Sequence, residues 1–576
     1  MPLDYAAPIP APPSASIVLI VLRRLRAPLI ALVVIYVASI VGLTVVPGVD
    51  AAGKPSSPMS FFHAFYFMSY TATTIGFGEI PMPFSDAQRL WVTLCIYLSV
   101  VGWTYAILTL LALFQDRAFA DALARARFGR RVRRLGEPFY IVCGCGETGQ
   151  LITRALDRRG TRFVVVELKE ARISELELED FRTDTPALVG DVRRPQNLVL
   201  AGINHPQCRG VVALTDDEEA NLAVAMTSRL LSPRLQVLAR VHTPETAQNL
   251  VAIGTHHIID PFQKFAEYLV LAMREPGCYR LLDWLTGTPG TNLRSEYAPP
   301  RGEWVVCGYG RCGKAVVREL DRERVSVTIV EPAAAGASDR RIVAGRGTEQ
   351  AVLKAAGIET AEGLVASTDD DSVNLAIAVA ARALNPRLFM VLRQNLAENR
   401  VLFDRFKADL VMVSSEIIAH ECFAILTTPL LPLFLAVVKN QPDAWADQTI
   451  ARLRARLGDE VPVIWDVRIT PRDALAVHDA LTRAGQSMRL GDLLRDSTDR
   501  DRRLASCALI CVRASETIVL PEEAADVRVG DEYLFAGTSE ARALQELTLR
   551  NANVLEYVRA GREVRGWFWR KIASRG

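Results

Sequence analysis

The chain has 576 residues, half of them hydrophobic, and an almost balanced charge of +2. That balance excludes the strongly basic footprint of a nucleic-acid-binding protein. Ten cysteines with no paired CxxC or Cys/His set exclude a disulfide framework and a structural zinc site, and point instead to reduced thiols in a cytoplasmic body.

At roughly 150 residues per domain the length predicts three or four units. Residues 1–26 read as a cytoplasmic N-terminus. Two uncharged runs follow, Ala27 to Val49 and Leu90 to Phe114, each longer than the ~20 residues a helix needs to cross a bilayer. The first is too long for a signal-peptide core. Arg23, Arg24 and Arg26 precede the first run, and Arg117, Arg125, Arg127, Arg130, Arg131, Arg133 and Arg134 follow the second. The positive-inside rule therefore predicts a multi-pass protein of the cell inner membrane with both termini cytoplasmic. Between the runs, Ser60 to Tyr70 is apolar but only about ten residues long, which suits a re-entrant helix rather than a crossing one. Residues 117–136 form a basic linker.

The stretch after the half-span reads Thr71-Ala72-Thr73-Thr74-Ile75-Gly76-Phe77-Gly78-Glu79. It resembles the potassium-channel signature, and residues 27–116 then have the plan of a two-span ion-channel pore. The resemblance implies a selectivity filter at Thr74, Ile75, Gly76, Phe77 and Gly78. There K+ would be held by backbone carbonyls and the Thr74 hydroxyl, at Thr74, Ile75, Gly76 and Phe77. Glycines at 76 and 78 permit the backbone angles that turn carbonyls to one axis. Phe77 stands where the family usually has tyrosine, so a phenol hydrogen bond behind the filter is lost, and Glu79 replaces aspartate. These departures bear on filter rigidity and selectivity. One loop per chain predicts a homotetramer in the lipid bilayer. Gly102, midway in the second span, reads either as a packing glycine or as a gating hinge.

The soluble part starts near Glu137. A strand from Phe139 to Cys143 runs into Gly144-Cys145-Gly146-Glu147-Thr148-Gly149, then a helix, then a strand from Arg162 ending in Glu167. This is the G-x-G-x-x-G pattern in the context of a dinucleotide fold. Its glycines admit a pyrophosphate to a helix N-terminus, and the acid is placed for ribose hydroxyls. The pattern recurs from Glu303 to Cys307, with Gly308-Tyr309-Gly310-Arg311-Cys312-Gly313 and a strand ending in Glu331. Further landmarks repeat in order: Gly190-Asp191 with Gly345-Arg346, Thr215-Asp216-Asp217 with Thr368-Asp369-Asp370, and Arg240 with Arg393. A whole domain is duplicated in tandem, as residues 137–287 and 303–440. Residues 288–302, rich in Pro and Gly, form the linker, and 441–576 a small α+β C-terminal lobe and tail with short strands around Arg489 to Asp492 and Val529 to Tyr533. Helical crossovers are predicted over Pro261 to Thr286 and Ser415 to Val438.

The duplicated unit resembles the RCK (KTN, TrkA-N) domain. Joined to the pore, it is similar to prokaryotic RCK-gated potassium channels of the multi-ligand-gated type. The resemblance implies an α-helical two-span pore with Rossmann-like α/β domains in a cytoplasmic gating ring. NAD, ADP and calcium are among that family's effectors. Candidate nucleotide contacts are Gly144, Cys145, Gly146, Glu147, Thr148, Gly149, Glu167, Asp191, Thr215 and Arg240 in the first copy. In the second they are Gly308, Gly310, Arg311, Gly313, Glu331 and Thr368, with Arg311 placed to pair with a phosphate. No residue is assigned to Ca2+. The clusters Asp216 to Glu219 and Asp369 to Asp371 read as solvated helix starts ahead of a divalent-cation site. An enzyme is not expected: no separate catalytic domain accompanies the fold, and His205, His256 and His257 read as structural or exposed. The competing readings are a transporter regulatory subunit with a membrane anchor and, further off, an oxidoreductase.

Overall fold

The computed structural model describes residues 15–49, 54–79, 83–287, 290–293, 298–332, 341–483, 485–514 and 516–562. The expected N-terminus and the 288–302 linker lie partly outside these residues, as does the end of the C-terminal tail. The chain divides into two compact units. One comprises residues 1–136 with 186–188 and 194–206, and the other comprises the rest.

In the first unit, α1 (Ala15–Val45) and α3 (Asp86–Gln115) are long helices flanking the short α2 (Phe61–Ala72). Leu25–Val45 and Asp86–Ala112 are long and apolar enough to cross a membrane. They carry exposed rows of large apolar side chains, among them Val33, Val37 and Val41 on α1 and Tyr97, Val101 and Leu108 on α3. Such rows are costly in water and suited to lipid. The first helix ends four residues earlier than its uncharged run predicts. Pro47 disfavours helical geometry in the residue before it, and Gly48–Val49 instead pairs with Pro55–Ser56. Ile40, Leu43, Ala64, Phe67, Met68, Val92 and Cys95 form the core where the three helices meet. Gly42 lies so close to the Trp91 indole that a Cβ would overlap it, and Trp91 Nε1 donates to the Ser39 carbonyl at 3.2 Å. A basic helix, α4 (Arg117–Arg133), follows.

The second unit holds the duplicated fold. Each copy is a six-stranded sheet with its strands in the order 3-2-1-4-5-6, the doubly wound arrangement that leaves a crevice between strands 1 and 4. In the first copy the strands are Phe139–Cys143, Arg162–Glu167, Ala187–Val189, Cys208–Ala213, Gln236–Arg240 and His257–Ile259. In the second they are Trp304–Cys307, Val327–Glu331, Ile342–Ala344, Gly363–Ala366, Phe389–Gln394 and Leu410–Val413, all paired in parallel. The strands are near-continuous apolar runs because helices cover both faces. Each predicted crossover is built of two helices. Pro261–Arg274 stops at Glu275 before Pro276–Thr286, and Ser414–Thr427 stops at Thr428 before Pro429 and Leu430–Val438. A proline removes the N–H that would continue the helix.

The C-terminal lobe is a four-stranded antiparallel sheet of Val463–Arg468, Glu532–Gly537, Ser506–Arg513 and Glu516–Val519, in that order. Where a strand is expected near Arg489, the chain forms a short helix, Leu490–Leu493. The Asp492 side chain accepts the Arg489 N–H at 3.0 Å and closes its first turn. All ten cysteines are free and buried.

Candidate functional sites

The first site is the segment after α2. Ser60 caps that helix, its Oγ accepting the His63 N–H. Twelve residues at 1.5 Å each give about 18 Å, too short to cross a bilayer core of about 30 Å. Beyond α2 the backbone alternates in sense: Thr74, Gly76 and Gly78 have φ of +64°, +66° and +91°, and Ile75 and Phe77 between them do not. Residues of alternating backbone sense can turn successive peptide planes to one side. Glycine adopts positive φ freely. Thr74 does so at a cost that its surroundings must supply.

Tyr70 on α2 organises this stretch. Its carbonyl accepts the Ile75 N–H at 2.9 Å and the Gly76 N–H at 3.3 Å, and its hydroxyl donates to the Gly78 carbonyl at 2.8 Å. Glu79 takes the Phe84 N–H at 2.9 Å and a two-pronged contact from Arg89, at 2.9 and 3.2 Å. Neither Tyr70 nor Arg89 is marked by the signature itself, so neither is found by matching it. Gly102 is buried against α1: a Cβ there would stand 3.0 Å from Ile35 Cδ1 and 3.1 Å from Leu32 Cδ2. The helix passes through it unbroken.

The second site is a cleft of about 540 Å³ over the glycine turn of the first copy. Gly144 (φ +93°) lies against Thr215, where a Cβ would stand 3.0 Å from the Thr215 N. Gly149 lies on the Gly144 carbonyl, too close to admit a Cβ, whereas Gly146 faces open space. The first and third glycines thus pack the turn, and the second leaves room for a ligand. The helix Glu147–Arg158 begins there with no side-chain cap on its first turn, leaving its N–H groups and dipole to an anion. Glu167 is buried and already engaged: it accepts the Cys145 N–H at 2.6 Å and the Lys169 N–H at 2.9 Å. It therefore holds the turn as well as facing the cleft. The Thr215 hydroxyl donates to Asn221 Oδ1 at 2.8 Å, and Asp191 pairs with Arg193 at 3.2 Å.

Gly144, Gly146, Glu147, Thr148, Glu167, Asp191, Thr215 and Arg240 all line this cleft, and so does Arg311 of the second copy. Cys145 is buried, with its thiol pushed up to about 12 by burial. The second copy's own turn repeats the geometry, with Tyr309 N–H to Glu331 at 2.7 Å and the Thr368 hydroxyl to Asn374 at 2.7 Å. Its Gly308, Gly310, Gly313, Glu331 and Thr368 lie outside the cleft. Its arginine reaches across instead.

His242, Phe262 and Arg393 also line the cleft and were not among the sequence candidates, although Arg393 was visible as the repeat partner of Arg240. Arg240 pairs with Asp216 at 2.8 Å and Arg393 with Asp369 at 2.6 Å. Arg393 and Arg311 stand 4.8 and 5.6 Å over the Phe262 ring. Burial, with Arg240 and Arg311 beside it, lowers the His242 pKa to about 4, so the ring is neutral at physiological pH. The acid clusters are occupied as helix caps. Asp217 Oδ1 accepts the Glu219 and Ala220 N–H groups, and Asp370 Oδ1 those of Ser372 and Val373. Among the described residues no group of three or more His, Cys, Asp and Glu is arranged to hold a metal ion.

Two families of known proteins match this chain. Residues 29–116 match the ion channel family, and residues 140–261 and 304–414 match the TrkA-N domain. Probable potassium channel protein 2 of Methanocaldococcus jannaschii is 23% identical over 221 residues, covering 38% of this chain and 60% of the relative. Potassium channel protein 1 of the same organism is 23% identical over 202 residues, covering 35% and 59%. The voltage-gated potassium channel Kch of Escherichia coli is 26% identical over 208 residues, covering 35% and 47%. The chain spans 32% to 60% of the length of the curated relatives it matches. Among solved structures, the GsuK channel bound to NAD aligns with 93% of this chain and 98% of its own, at 17% identity and a TM-score of 0.46. Joined to its two long apolar helices, the ion channel match makes this a membrane protein. The chain therefore carries an ion channel domain followed by two TrkA-N domains, and over both it resembles the prokaryotic potassium channels that contain RCK domains.

Proposed function

We propose that this chain is one subunit of a homotetrameric potassium channel of the inner membrane, with both termini cytoplasmic. K+ passes along Thr74 to Gly78, and the two TrkA-N copies gate the pore in response to a nucleotide. The observation that carries the pore reading is the alternation of backbone sense at Thr74, Gly76 and Gly78. It sits after a helix too short to span and between two helices long enough to do so. A lone segment would offer carbonyls from one side only, and four copies around an axis would give the rings that replace a potassium ion's water. Gly102, at the close approach of the two long helices, is the position proposed for bending during gating.

The ligand reading rests on the cleft. An adenine nucleotide such as NAD or ADP would lay its phosphates on Gly146 and the first turn of the helix Glu147–Arg158, its ribose toward Glu167 and Asp191, and its outer phosphate toward Arg311, with Arg240 and Arg393 behind. Because Arg311 belongs to the second copy, a bound diphosphate ties the two copies together. That gives the ligand a differential affinity for two arrangements of the copies, the condition for it to bias gating.

The test is purified protein in a planar bilayer. Currents whose reversal potential follows the potassium gradient, abolished by Gly76→Asp, support the pore reading; reversal that follows sodium and potassium equally defeats it. NAD and ADP added to the cytoplasmic side should change open probability without altering unitary conductance.

A further inference from the structure

The segment proposed as the filter has phenylalanine, not tyrosine, at position 77, and so lacks a phenol of its own. We propose that Tyr70, on the preceding helix, supplies the missing hydroxyl, holds the outer end of the segment, and thereby sets its discrimination between K+ and Na+. This rests on the reading of Thr74 to Gly78 as a selectivity filter.

Tyr70 is 4% exposed and touches the segment at both ends. Its carbonyl takes the Ile75 and Gly76 N–H groups, and its hydroxyl donates to the Gly78 carbonyl at 2.8 Å. One residue thus brackets four consecutive ones. The ring has little room to leave: it meets the rings of Phe67, Tyr66 and Phe77 edge-on at 5.3, 5.4 and 5.3 Å. Phe77 therefore packs against the ring whose hydroxyl does the work a tyrosine at 77 would have done.

The position of the bond explains why it matters. Gly78, at φ +91°, has no side chain to bias its backbone, and its peptide is free to turn unless something holds the carbonyl. A carbonyl cage favours K+ only if it resists closing on the smaller Na+, whether through its size or through the number of dipoles it keeps in place. A buried donor fixed on a helix provides that resistance. The Glu79–Arg89 pair anchors the next residue, but both side chains are more than one-third exposed, at 37% and 54%, so it is the weaker of the two restraints. Tyr70 is a positioning residue: it acts on the ion through Gly78.

The experiment measures K+/Na+ permeability ratios from reversal potentials in planar bilayers, with the heat-dissociation temperature of the oligomer as a control. Tyr70→Phe removes one oxygen. It should keep the oligomer and the K+ current but lower the ratio roughly two- to tenfold, the scale of one neutral hydrogen bond. Y70F/F77Y, which returns a phenol to the segment, should recover part of the ratio. A wild-type protein that passes no K+-selective current overturns the filter reading and this inference with it. A selective wild type with an unchanged ratio in Tyr70→Phe overturns this inference alone. Should Tyr70→Phe fail to assemble, the double variant decides: a selective oligomer supports the strut, and a non-selective one overturns it.

Discussion

The two nucleotide-fold copies are nearly superposable in their turns and opposite in what they offer a ligand. Gly146 and Gly310 have φ, ψ of −72°, −163° and −73°, −161°, and Gly144 and Gly308 have φ of +93° and +92°. The acid that closes each turn does so at 2.6 and 2.7 Å. The residue after the second glycine, however, is Glu147 in one copy and Arg311 in the other. Each reaches toward the opposite copy: Glu147 accepts the Ala397 N–H at 3.0 Å, while Arg311 lines the first cleft. The contact is reciprocal, as across a two-fold axis, but the charges are exchanged. The first copy's cleft receives the cation of Arg311 and keeps Asp191, whereas the second copy has Arg346 in the matching place and meets Glu147 at the Ala397 N–H. The glycine signature reports a backbone shape. What sits opposite decides whether an anion is welcome.

The largest expected effect separates the copies directly. Gly146→Asp puts a carboxylate where phosphate would lie and should weaken NAD or ADP binding by at least about 100-fold, since like charges at close quarters cost several kcal/mol. Gly310→Asp, in the same geometry, should leave calorimetric binding within about threefold. Equal losses from both would dissolve the asymmetry. Arg311→Ala comes next. Losing a hydrogen bond to a charged group costs about 1.5–3 kcal/mol, or roughly 10- to 150-fold in affinity. The loss should be larger for ADP than for adenosine, because only the former carries phosphates. No difference between those two ligands would mean that Arg311 is structural.

A third, smaller effect concerns the acids that close the turns. Glu167→Gln retains an oxygen for the Cys145 N–H but loses the charge facing the cleft. It should weaken binding by about 1 kcal/mol and lower stability by a similar amount, because the amide NH2 then faces the Lys169 N–H, while Glu331→Gln should not alter binding. A fall in melting temperature with binding unchanged in both would show that turn closure dominates.

The copies also differ in a neighbour. Arg159, at the end of the first copy's turn helix, is near Asp466 of the C-terminal lobe, and among the described residues Asp466 Oδ1 has no hydrogen-bond partner. Burial raises the Asp466 pKa to about 7, more than the Leu430 N–H and Arg159 lower it. The folded state therefore holds a proton that the unfolded state has released above about pH 4, and stability falls as pH rises from about 4 toward 7. Asp466→Asn should be the more stable variant at pH 8, by about 1 kcal/mol allowing for relaxation, with the gap closing by pH 4. A gap that widens on acidification would reverse the assignment. Chemical denaturation across that range is the measurement.

The features legible in the sequence are the local ones. The uncharged runs and the half-span follow from composition over a short stretch of chain, and the duplicated glycine turns and the Arg240–Arg393 correspondence follow from comparing two stretches of the same sequence. What sequence reasoning did not supply depends on where side chains point and what they pack against. Arg311 reads as a ligand of its own copy and lies in the other's cleft. Phe262 reads as part of a crossover and becomes the platform for two arginines. The loss of a phenol at Phe77 is plain in the sequence; its counterpart at Tyr70 is not, because a tyrosine on an apolar helix carries no mark of where its hydroxyl points. The two crossovers are helical as expected, and each is divided where a proline follows its first helix.

The sharing of one cleft between two domains of a single polypeptide has a consequence for concentration. Where two separate proteins must meet to complete a site, dilution empties it. Here the turn around Gly146 and the arginine at 311 are tethered, and the tether holds each at an effective concentration on the order of millimolar near the other. Ligand affinity should then be independent of how much protein is present, from the scarcity of a cell membrane to the crowding of a calorimeter cell, because the cleft is complete within one chain.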